Sequence, residues 1–203
     1  MGFKIVLAPF KDPAVGGDWG EHSQRISDHL SALIKDYPVD IEFKLSIGVE
    51  GGGADFPIVI LEIVALGSAA FFGVPKAYQK MKEAIKGWRE IWSEMERFLS
   101  WLKKKEQVSR YSIEVAFLSC LARLGGRAQV DQLELIEVQE FLGSSGYVSP
   151  SFENTEVIYY LFIFRENKEK LYIMCCDERL QVHVDKMLIL NPLTRFHEEY
   201  KSD

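Results

Sequence analysis

Three cysteines in 203 residues, Cys120, Cys175 and Cys176, are too few and too irregularly placed for a disulfide framework, and no CxxC spacing offers a zinc site. Free thiols packed as small core residues of a cytoplasmic protein are the expectation. Histidine is equally sparse. His22 and His29 fall seven apart on one predicted helix with Asp18 and Asp28 nearby, but no third ligand lies close, so they read as a solvated face. His183 sits in a strand-like run and His197 in a polar tail, neither with a partner evident from sequence. No serine or cysteine has the GxSxG setting of a strained nucleophile. No catalytic residue, cofactor or metal site is expected, and the chain reads as non-enzymatic.

Excess positive charge is also missing. Twenty-four basic against thirty acidic side chains give −6, which argues against nucleic acid as a partner, since phosphate binding rests on clustered Lys and Arg. The distribution is uneven. Residues 1–75 carry five basic and ten acidic groups, 76–110 ten basic and five acidic, and 111–203 nine and fifteen. A segment of +5 therefore sits between two acidic ones. The N-terminus lacks the long apolar run of a signal peptide, and Val6 stands where a myristoylation motif wants Ser or Thr.

Hydrophobic periodicity predicts an α+β fold. FKIVLAPF (3–10) reads as a strand; a Gly-rich break with Gly16, Gly17 and Gly20 follows, and Asp18 with Glu21 has capping-box spacing. Ile26, Leu30, Leu33 and Ile34 mark a helix ending near Pro38, and 39–49 alternates as a half-buried strand. These elements form a β-α-β unit, whose parallel pairing would need a right-handed crossover. Gly51–Gly53 make a second loop. Neither glycine loop is GxGxxG or a Walker loop, and the flanking Asp18, Glu21, Glu50 and Asp55 oppose phosphate, so both read as turns and caps. An enzyme using these loops is the third-ranked reading.

From Phe56 to Pro75 the sole ionisable side chain is Glu62. As a helix, twenty residues would span ~30 Å, enough for a bilayer core. Glu62 near its middle would cost roughly 2.5–3.5 kcal/mol in a membrane. A buried helix capped by Asp55 is the favoured expectation, and membrane insertion of 56–75 the alternative. A second helix, 78–102, carries Met81, Ile85, Trp88, Trp92, Met95, Leu99 and Leu102 at alternating four- and three-residue steps, with Ile91 and Phe98 widening the stripe. Lys103–Lys105 follow as cations at its C-terminal end.

Residues 106–110 read as a linker dividing 1–106 from 107–203. The second half is a helix, 111–124, stopped by Gly125-Gly126, then strands at 133–141, 156–164, 170–175 and 180–190, an antiparallel meander.

The run LSIGVEGGGADFPIVILEIVALGSAA, after a β-α unit and before an amphipathic helix, resembles the effector-associated constant components of bacterial conflict systems over residues 3–100. The resemblance implies a non-enzymatic accessory role in defence and assigns no role to an individual residue. On the residues themselves, Trp88, Trp92, Met95, Phe98 and Trp101 with Lys86 and Arg89 form the candidate contact surface of a small adaptor or regulatory subunit, for a protein partner or for self-association. Whether that stripe faces an internal core or a partner is open at the level of sequence.

Overall fold

The computed structural model describes residues 3–7, 19–50, 56–67, 69–70, 81–106, 108–144 and 156–190. The glycine loops around Gly16 and Gly51–Gly53 and the caps assigned to Asp18 and Asp55 lie outside these residues, as does His197. The order of elements is β1 (Phe3–Leu7), α1 (Trp19–Lys35), β2 (Ile41–Glu50), β3 (Phe56–Leu66), β4 (Ala69–Ala70), α2 (Met81–Leu102), β5 (Val108–Tyr111), α3 (Ile113–Leu124), then β6 (Leu133–Ser144), β7 (Glu156–Glu166), β8 (Lys170–Asp177) and β9 (Val182–Ile189). The fold class is α+β, with three helices and two antiparallel sheets among the described residues.

The first sheet runs β2-β3-β1-β5, with β4 added beside β3. Here two expectations are corrected. Residues 56–66 are a strand, neither a buried helix nor a membrane-spanning one, and no described helix is long and apolar enough to cross a membrane. The physical reason is position. β3 lies between β1 and β2, and Ile58, Val59, Leu61, Ile63 and Leu66 are all buried, so the strand lacks the polar alternation of a half-wet one. The β-α-β expectation also gives way, because β1 and β2 are not neighbours; β3 pairs antiparallel with both. The same register accounts for Glu62. It stands opposite Lys4 on one side and Lys44 on the other, a cross-strand row of alternating charge.

The expected linker at 106–110 is instead largely β5, which pairs with β1, Ile5 opposite Tyr111. Leu102 ends α2, and Lys103–Lys105 lie in the following turn, where Glu106 N–H donates to Leu102 O at 2.8 Å. Lys103 Nζ rests 5.1 Å from the Tyr111 ring centroid.

The second sheet is the expected meander, β6-β7-β8-β9. Its first hairpin turn after β7 places Asn167 and Lys168 at φ 49° and 60°, left-handed values that Asn accepts more readily than most residues. α3 bridges the sheets, contacting β1 on one side and β7 and β8 on the other. Val115, Ala116, Phe117, Leu118, Cys120, Leu121 and Leu124 are all buried, so this helix is apolar nearly all round. Phe117 sits 5.8 Å from both Phe162 and Phe164 of β7. One hydrophobic core thus runs from Ile5 and Leu61 through α3 to Phe162 and Met174. α1 covers β2 and β3 through Ile26, Leu30 and Ile34, and α2 packs on α3.

Candidate functional site

The amphipathic helix expected at 78–102 is present as α2 from Met81. Its seam splits by depth. Met95, Phe98 and Leu102 are fully buried and Leu99 nearly so, which removes Met95 and Phe98 from the candidate contact surface: they anchor the helix to the core. Trp101 is half-buried, 5.0 Å from the Tyr37 ring and 5.8 Å from Phe98. Burial raises the Tyr37 phenol above its ordinary range, Arg97 pulling it back and Glu94 adding to the rise. Trp92 is also half-buried, packed on the core by one side, and Arg89 is exposed. Lys86 and Trp88 lie on α2, but their side chains fall outside the described residues.

Trp92 and Arg89 enter a cleft of about 570 Å³ between α2 and α3, lined also by Glu96, Ser119, Ala122 and Arg123. Its volume is in the range of sites that hold a side chain or a small group. The cleft exists because α3 presents its one half-exposed stripe here. Ser119, Ala122 and Arg123 follow Leu118, Cys120 and Leu121, whose burial turns the opposite side of α3 into the core. The small side chains of Ser119 and Ala122 leave the opening unfilled. Two guanidinium groups and one carboxylate leave a net positive rim around an indole wall. Such a set can receive a carboxylate beside an apolar or aromatic group, the guanidinium forks matching the carboxylate and the indole the flat surface.

Ser119, Ala122 and Arg123 were not singled out in the sequence. They lie about thirty positions from Trp92, and only helix packing joins them.

A second polar constellation sits at the β8–β9 hairpin. His183 Nε2 is 3.0 Å from Asp177 Oδ2, giving His183 a partner that sequence did not show. Asp177 Oδ1 accepts N–H bonds from Arg179 and Gln181, both at 2.9 Å. Asp177 therefore organises the turn, in which Leu180 adopts φ 66°, and the pair acts as a clasp on the hairpin. The signal available in sequence was the six-residue interval from Asp177, in the gap between the strand-like runs 170–175 and 180–190, to His183 in the second run.

His29, on the exposed side of α1, contacts Glu106 Oε1 at 3.0 Å, and the side chain of His22 is outside the described residues. Among the described residues no group of three or more His, Cys, Asp or Glu could hold a metal ion. All three cysteines are free and buried.

Comparison with protein-family models, with curated proteins and with solved structures returned no match to this chain.

Proposed function

We propose that this chain is a non-enzymatic interaction protein, a small adaptor or regulatory subunit that seats a segment of a protein partner in the cleft between α2 and α3. The observation that carries the reading is the pairing of Trp92, held against the core by one side, with Arg89 and Arg123 around the same opening. Trp and Arg are the side chains that most often dominate binding energy at protein interfaces, and anchoring the indole lowers the entropy cost of using it. The +5 charge of residues 76–110 adds long-range attraction for an acidic segment, strongest at low salt. The resemblance of residues 3–100 supports reading this role as that of an accessory component of a bacterial conflict system.

Selection of displayed random peptides against the whole chain tests this reading. Acidic peptides containing an aromatic or large apolar residue should be enriched. Their affinity should fall at least about tenfold in Arg123→Glu and weaken with salt, Arg123 being exposed and unneeded for the core. Enrichment of peptides indifferent to Arg123→Glu and Trp92→Ala would contradict it.

A further inference from the structure

The second sheet has two faces of different character. Tyr160, Phe162, Phe164, Tyr172 and Met174 point to α3 and are buried. Residues alternating with them, Leu161, Ile163, Leu171 and Ile173, lie on the two central strands and are half-exposed, and none is among the side chains packed on the core. Leu188 on β9 adds to the same face at 46% exposure. A central-strand row of branched apolar side chains left open to water is costly unless something covers it.

The charges at the rims identify a cover. Glu137 on β6 pairs with Ile163, Ile163 with Ile173, and Ile173 with Lys186 on β9. One row across the outer face thus reads acid, apolar, apolar, base, with the two charges on opposite edge strands. A twofold axis parallel to the strands lays β6 of one copy over β9 of another. That operation puts Glu137 against Lys186 of the second copy, twice, and the isoleucines against each other at the centre.

We propose that the outer face of the β6-β7-β8-β9 sheet is a self-complementary surface that pairs with a second copy of this chain in a face-to-face sandwich. Size is consistent with this. Four strands ~4.8 Å apart and eight residues ~3.4 Å each cover on the order of 500 Å² per copy, so the pair removes on the order of 1,000 Å², the lower bound for a specific interface. Aligned packing of twisted sheets provides the geometry. This face lies on the side of the sheet opposite α3, so pairing leaves the α2/α3 cleft open.

Solution mass of the full chain, by light scattering or sedimentation up to about 100 µM, should be twice the 23.3 kDa of one chain. Ile173→Lys should give a monomer that keeps its helical signal. Because that change could disturb folding, the edge charges supply an independent arm. Glu137→Lys should weaken dimerisation by roughly threefold to tenfold at low salt, and adding Lys186→Glu should restore it. A monomeric wild type overturns the proposal. So does a dimer whose association is indifferent to Ile173→Lys, or a Glu137→Lys defect that Lys186→Glu fails to repair. Loss of peptide binding at the cleft would leave these results unchanged, which separates the two proposals.

Discussion

Tyr37, in the turn that leaves α1, meets Phe98 of α2 edge to face, with ring centroids 5.3 Å apart and planes at 83°. This contact links the helix covering the first sheet to the helix that forms one wall of the cleft, and Trp101 closes the cluster. Aromatic pairs in this geometry are worth about 0.5–1.5 kcal/mol beyond the area they bury.

Phe98→Ala should therefore cost roughly 3–5 kcal/mol, the range for removing a buried ring from a core. Trp101→Ala, from a half-exposed site, should cost distinctly less. Urea unfolding of both variants reads the difference directly. Equal losses would mean that Phe98 is not the anchor.

Asp177→Ala should destabilise by roughly 1–3 kcal/mol, because the N–H groups of Arg179 and Gln181 lose their acceptor and His183 its partner. Asp177→Asn keeps an acceptor oxygen and should retain most of the stability. A shift in urea midpoint that is the same for Ala and Asn would assign the effect to charge rather than to the turn.

Much of this fold was legible from periodicity. α2 and the four-stranded meander have the patterns of half-buried elements, and their positions follow from Met95-Leu99-Leu102 spacing and from alternation such as Tyr160-Phe162-Phe164, while α3 was marked by Ile113, Phe117, Leu121 and Leu124 and the Gly125-Gly126 stop. β3 was not legible as a strand. Its Ile58–Leu66 core is an apolar run interrupted only by Glu62, which periodicity does not separate from a buried helix. The distinguishing signal was composition, since Ile58, Val59, Ile60, Ile63 and Val64 are β-branched and disfavour a helix. Pairing β1 with β3 rather than β2 is decided by tertiary packing, to which local pattern is blind. For the same reason Arg89 and Trp92 of the cleft could be found in sequence, but Glu96, Ser119, Ala122 and Arg123 could not be assigned to it.

Glu166 supplies a pH dependence. The backbone N–H of Gln129, at 2.7 Å, together with Lys170 and Tyr172, holds its carboxyl below the ordinary value of 4.5, against the opposing effect of burial. A depressed carboxylate contributes stability that is full above the unfolded value and disappears as pH falls through the folded one. Glu166→Gln should thus be less stable than wild type by about 1–3 kcal/mol at neutral pH, with the gap narrowing as pH drops below the ordinary carboxylate range. A gap constant from pH 7 to pH 3 would contradict this.

Cys120 and Cys176 lie 4.0 Å apart, sulfur to sulfur, with the Cys120 thiol pushed up by its hydrogen bond to Cys176 and by burial. Burial also pushes the Cys175 thiol up. The same hydrogen bond lowers the Cys176 thiol, but all three are buried, so none should react with a thiol reagent in the native protein on the timescale of minutes, and all should react once it is unfolded. Alanine at each should cost roughly 0.5–3 kcal/mol and leave a folded chain. Rapid native labelling of Cys120 or Cys176 would show that α3 does not seal against β8.

The cleft itself is tested most directly by the indole N–H resonance of Trp92, assigned by its loss in Trp92→Phe, during titration with an acidic peptide selected against the chain. Trp92 lines the cleft, whereas Trp101 sits in the aromatic cluster with Tyr37 and Phe98. The Trp92 indole should shift saturably, Trp101 should stay in place, and Arg123→Glu should abolish the shift. Saturable binding that moves Trp101 and leaves Trp92 unmoved would contradict it.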